Sequence, residues 1–208
     1  MPRIFVSHAA KDADLAERFV DLLQVGMNVH PDDVFCSSLP GMNIPTGQAF
    51  VSYIKSKIAA PDVVLLLITD EFLKSQFCHN EVGASWALSL PIYPLLVPPV
   101  EFRDVKGVLD GVQFARLDDK EKLSDLRDDL TQKLGLEPFR TSHWERKRDK
   151  FLTELAANHT NRHLEEVTAG NGNTASSSVV SDTGSWLKLG SEYFVASEFE
   201  HRGNAARD

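Results

Sequence analysis

The chain has 208 residues, 42% of them hydrophobic and 25% charged, with a formal net charge of -8. That length holds one domain of about 150 residues and an appendage, and the composition is that of an ordinary globular protein. Negative charge spread without long blocks of one sign excludes an electrostatic grip on duplex nucleic acid or an anionic membrane, so a small molecule or another protein is the expected partner.

The opening MPRIFVSHAAKD has no basic region followed by an apolar run and a cleavage site. No apolar stretch approaches the roughly 20 residues of a membrane span, and the expected location is cytoplasmic. Arg3 to Ser7 reads as a strand, and Leu15, Phe19, Leu22 and Leu23 then recur at helical spacing. A brief second strand, Val34-Phe35-Cys36, leads into Ser37 to Gly47, whose Pro40, Gly41, Pro45 and Gly47 mark a long loop before a helix from Gln48 to Ile58. Val63 to Ile68 is continuously apolar, the pattern of a central parallel strand covered on both faces. A helix follows within SQFCHNEVGASWALSLP, residues 75–91. Ile92 to Val97, which Pro94 moves towards a sheet edge, and Phe114 to Leu117 make two further strands. Leu123 to Leu134 and Trp144 to Leu164 read as helices. This alternation predicts an α/β fold, a flavodoxin-like open doubly wound sheet of about five parallel strands flanked by helices, with right-handed crossovers.

From Thr168 the composition turns to AGNGNTASSS, too poor in apolar surface to fold, and a flexible polar linker is expected over residues 168–185. Beyond it, Trp186 to Leu189 and Tyr193 to Ala196 read as a hairpin in a short C-terminal extension, 186–208, too small to be stable alone. The compact domain is then 1–155, with its last helix continuing to about 167. Cys36 and Cys78 have no paired metal-site spacing, so reduced, packed thiols are expected and neither a metal nor a bound cofactor is.

One residue breaks the pattern. In the helix of residues 75–91, Glu81 falls in the apolar stripe with Phe77, Val82, Ala84, Ser85 and Leu88, while Gln76, His79 and Asn80 lie opposite. In an open α/β sheet, ligands sit at the carboxyl ends of the strands near the switch in strand order. Ser7 to Asp12, Ser37 to Gly47 and the start of this helix all lie there. A carboxylate on an inward stripe that opens into this crevice can face a polar substrate. Spacing alone equally allows Glu81 to cap a backbone group or pair with a core cation.

Four segments, 3-RIFVSHAAKD-12, 36-CSSLPGMNIPTG-47, 75-SQFCHNEVGASWAL-88 and 143-HWERKRDKF-151, together resemble the TIR (Toll/interleukin-1 receptor) domain in its bacterial form. In enzymatic members of that family a glutamate after an aromatic-Cys-x-x pattern cleaves NAD, and Glu81 stands at that pattern after Phe77 and Cys78. The resemblance implies Glu81 as the catalytic residue, with Ser7, His8, Ser38, Leu39, Phe77 and Cys78 binding the substrate. It also implies an assembly loop containing Leu39, Pro40, Gly41, Met42 and Ile44. NAD would be a substrate rather than a resident cofactor. Implied partners are other TIR domains, through homotypic self-association, and a downstream effector sensing the nucleotide product in bacterial antiphage defence or signalling.

The chemistry suits one carboxylate. Cleaving the nicotinamide–ribose bond creates an oxocarbenium-like centre that a carboxylate on the ribose face stabilises, and the leaving group is already cationic, so no general acid is required. His8 has two readings, stacking on a base or a solvated loop residue. Phe77 stands where the family commonly has tryptophan, so core packing competes with stacking. Trp86, on the face away from Glu81, is expected in packing or in an assembly contact. Three functions compete: an NAD glycohydrolase or cyclase, a non-catalytic adaptor acting by homotypic TIR contacts, and a nucleoside deoxyribosyltransferase-like enzyme. Glu81 argues against the adaptor and Leu39-Pro40-Gly41 against the transferase. A phosphoacceptor receiver is excluded because Ser7-His8-Ala9 stands where its acidic metal ligands belong.

Overall fold

Five short apolar runs become strands: β1 at Ile4–Ser7, β2 at Val34–Phe35, β3 at Val63–Ile68, β4 at Ile92–Leu96 and β5 at Ala115–Arg116. They are seen in a computed structural model that describes residues 3–36, 61–109, 111–170, 186–189 and 192–195. Every neighbouring pair is parallel, in the order β2-β1-β3-β4-β5. The chain therefore steps outward from β1 to β2 and returns across it to β3, which puts the topological switch between β1 and β3. Ser7, the last residue of β1, lies in register with Leu66.

The helices are α1, Ala13–Asp21, which runs on through a wider turn at Leu22–Gly26; α2, Asp70–Lys74; α3, Gln76–Ala87; α4, Lys120–Leu134; and α5, Thr141–Gly170. Because strand side chains alternate between faces, the sheet has two cores. Ile4, Val6, Val63, Leu65 and Leu67 pack with Leu15 and Phe19 of α1, Leu126 and Leu130 of α4, and Trp144 and Phe151 of α5. Phe5, Val64, Leu66 and Ile68 pack on the other face with Phe72 of α2 and Cys78 and Val82 of α3. All six β3 side chains are fully buried, as a central strand covered on both faces requires.

Pro94 does not put β4 at the edge, since β4 lies between β3 and β5. Val97 donates to Ile68 on the β3 side and Leu96 accepts from Leu117 on the β5 side. By this alternation the missing Pro94 N–H points to the β5 side, ahead of where the β5 ladder begins at Leu95 opposite Ala115. A proline costs no ladder bond there.

Residues 1–165 form one compact unit and residues 166–208 a second. In the second unit β6, Trp186–Leu189, pairs antiparallel with β7, Glu192–Val195, so the second strand starts at Glu192, one residue before Tyr193. The long helix begins at Thr141, three residues before Trp144, and continues to Gly170. Among the described residues no helix is long and apolar enough to cross a membrane. The expected helix from Gln48 to Ile58 lies outside the described residues, and of the linker expected over residues 168–185 the first three residues belong to α5 while the rest lies outside the described residues.

Candidate functional site

The site is built where β1 and β3 end. Strand alternation puts Ser7 on the same face as Phe5, the face that α3 covers. On α3 the residues turned inward are Cys78, Glu81, Val82 and Ser85, while Ala84 and Leu88 are exposed. The inward stripe is thus narrower and more polar than expected. The Ser7 hydroxyl, itself 1% exposed, donates to Oε2 of Glu81, which is 5% exposed. Burial pushes the Glu81 carboxyl up to about 7, against the Ser7 hydrogen bond, which favours the charged form.

A second polar tie lies beside the first. Asp12, at the end of the short helical turn after β1, is fully buried, and its carboxylate accepts from the Thr69 hydroxyl. The same Thr69 oxygen accepts from the Phe72 N–H at 3.0 Å and so caps α2. Ser75 then caps α3 by accepting from the Cys78 N–H at 3.3 Å. Two consecutive caps therefore fix the angle at which α3 leaves β3, and with it the reach of Glu81 to Ser7.

His8 is buried at 7% exposure, which removes the solvated-loop reading. Burial lowers its pKa, against a hydrogen bond to the Val6 backbone and the charge of Asp12, and Cys36 Sγ lies 3.7 Å from its Nδ1. Cys36 and Cys78 are both free and buried. Burial pushes the Cys78 thiol up to about 11, so it stays protonated and is a poor nucleophile. Phe77 is half-buried against the α3-side core. Trp86 is 60% exposed, which leaves the assembly reading and removes the packing one. Ser38, Leu39, Pro40, Gly41, Met42 and Ile44 lie outside the described residues.

The structure thus brings together Ser7 and Glu81, with His8 and Cys78 buried around the same switch point. Sequence reasoning missed Thr69, and it placed Asp12 at the crevice and Ser85 on the inward stripe without giving either a role. Thr69 was legible as a hydroxyl immediately after an apolar strand and before two acids, the signature of a helix start. Helical spacing did put Ser85 on the inward stripe, whereas no local signal paired Asp12 with Thr69. Ser85 is fully buried, and its hydroxyl has no hydrogen-bond partner among the described residues. Among those residues no group of three or more His, Cys, Asp or Glu side chains could hold a metal ion.

A family model of the TIR domain matches residues 4–130, more than half of the chain. The chain is 29% identical over 154 residues to Uncharacterized protein YddK of Bacillus subtilis (strain 168), a match covering 74% of this chain and 57% of that protein. It therefore spans little more than half the length of that relative. The fold is similar to the crystal structure of the TIR domain of the Toll-related receptor TRR-2 from Hydra magnipapillata. That likeness has a TM-score of 0.52 and 19% identity over 64% of this chain and 97% of the other, and at such identity it speaks for the fold alone.

Proposed function

The chain belongs to the TIR domain family, and from that premise we propose that it is an NAD-cleaving member, a glycohydrolase or cyclase that breaks the bond between nicotinamide and ribose. The observation that carries this reading is the buried carboxylate at the carboxyl ends of β1 and β3. Glu81 is 5% exposed in an apolar layer, and among the described residues its partner is a neutral hydroxyl rather than a cation. Burying an acid this way opposes folding near neutral pH, and a purely adhesive module gains nothing from it. A site that generates an oxocarbenium-like ribose does gain.

In this reading Glu81 stabilises the developing positive charge or accepts from the ribose hydroxyls, and nicotinamide departs as a neutral base. With the carboxyl held at about 7, both protonation states are populated near neutrality, and a cationic pyridinium beside it favours the charged one. His8 and Phe77 offer ring surface and Cys78 an uncharged thiol wall. The test is to incubate the purified chain with NAD, identify the product by chromatography and mass, and run Glu81→Gln beside it. The wild type is expected to consume NAD and the variant to lose at least about a hundredfold in rate. Equal rates would remove Glu81 from the chemistry.

Trp86 and Leu88, at 60% and 53% exposure on and just after the outer face of α3, favour homotypic TIR–TIR association as a second activity. Concentration-dependent self-association in a chain that leaves NAD intact would make the adaptor reading the whole function.

A further inference from the structure

We propose that Ser7 is a positioning residue of this site: its hydroxyl holds Oε2 of Glu81 and leaves Oε1 for the substrate, which Ser7 itself does not touch. The proposal rests on the NAD-cleaving reading and specifies how its central carboxylate is aimed. Three observations carry it. Ser7 is 1% exposed, which suits a group spent on an internal partner better than one kept for a ligand. Its hydroxyl donates to Oε2, and among the described residues no donor to Oε1 is found. Finally, Ser7 ends β1, a strand paired with β3 over its whole length and with β2 at Ile4 and Phe5, so the donor stands on a rigid element.

A glutamate side chain has three rotatable bonds, and an unheld carboxylate in a crevice spreads over several rotamers. The bond from Ser7 selects one of them. Because both groups are buried, water does not compete for the contact. The bond also favours the charged form of Glu81, the form that stabilises an oxocarbenium centre. Among the described residues, the titratable groups of this site besides Glu81 are Cys78 on its own helix and His8 and Asp12 in the segment after β1, with Asp12 acting on both Cys78 and His8. Cys78 stays protonated across the working range, burial holds His8 towards neutrality, and burial pushes the Glu81 carboxyl up to about 7.

The test uses the full chain with Ser7→Ala and Ser7→Thr. If Ser7 positions Glu81, the alanine variant loses about tenfold or more in kcat with KM within about twofold. The acid limb of its pH–rate profile moves up by about one unit, and threonine, which keeps the hydroxyl, restores both. A substrate-contacting Ser7 would instead raise KM and leave the acid limb in place, which overturns the proposal. Independently of any turnover, carboxyl-carbon NMR of Glu-labelled protein, assigned with Glu81→Gln, should show the Glu81 midpoint rising in Ser7→Ala. An unchanged midpoint overturns the proposal even if NAD is cleaved. A wild type that cleaves no NAD while the midpoint still depends on Ser7 overturns the functional reading instead. Should Ser7→Ala not fold, Ser7→Cys keeps the volume, replaces a strong donor by a weak one, and carries the same test.

Discussion

Near pH 5 Glu81 and a glutamine in its place are close equivalents; near pH 8 they are not. Folding raises the carboxyl from 4.5 to about 7, so the folded state binds the proton more tightly than the unfolded chain. The sign follows from linkage: this stability is present below about pH 4.5 and is lost as pH rises through about 7, on the order of 3 kcal/mol in all. Glu81→Gln is therefore expected to melt close to the wild type near pH 5 and progressively above it towards pH 8, in scanning calorimetry over a pH series. Wild-type NAD cleavage is expected to rise over the same interval, as the charged form fills. At Ser85, a buried hydroxyl without a partner among the described residues, Ser85→Ala should be neutral or stabilise by up to about 1 kcal/mol in urea unfolding. Gly26 is the opposite case. A Cβ there would stand 3.1 Å from both Leu22 Cδ1 and Trp144 Cε3, so Gly26→Ala should cost about 1–3 kcal/mol. Glu81 was visible in the sequence as a charge on the wrong stripe, but its partner was not, because 74 residues separate it from Ser7. No local period connects the end of one strand to the middle of a distant helix.

The short α2 and the start of α3 form the element on which the site depends, and each begins at a hydroxyl cap. Thr69 serves twice, capping α2 and donating to Asp12. Thr69→Val keeps the shape and removes both bonds, with an expected loss of about 2 kcal/mol. Amide exchange at Phe72 should accelerate more than exchange in the β3 strand. Threonine replaced without either effect would mean that the Asp12 tie is idle. Elements with strong, simple patterns were legible from sequence: β3 because six apolar residues in a row admit little else, and α4 because Leu123, Leu126, Leu130 and Leu134 keep one buried face. Harder to read were elements whose pattern is set by tertiary context. The stripe of α3 ends at Ser85 instead of Leu88, since the helix stops at Ala87 and Leu88 only caps it, and Pro94 sits inside the sheet because β5 starts one residue further along.

On the scale of the whole molecule, the order β2-β1-β3-β4-β5 was legible in its class, from alternating strands and helices and the hydrophobic centre at β3. In the extension, β6 and β7 pair antiparallel. Residues 1–165 are a compact unit by themselves. Ending the chain at Val167 should therefore leave the melting temperature of the first unit within about 2 °C, as calorimetry would show. If the extension governs assembly, the shortened chain changes its oligomeric state by light scattering or its basal NAD cleavage; no change in either removes that role. The described sheet also ends, on both sides, in strands only two residues long, β2 and β5. A rim that narrow gives a visiting strand no rail to zip along. At this five-stranded sheet, copies that self-associate would meet through side chains rather than by adding a strand.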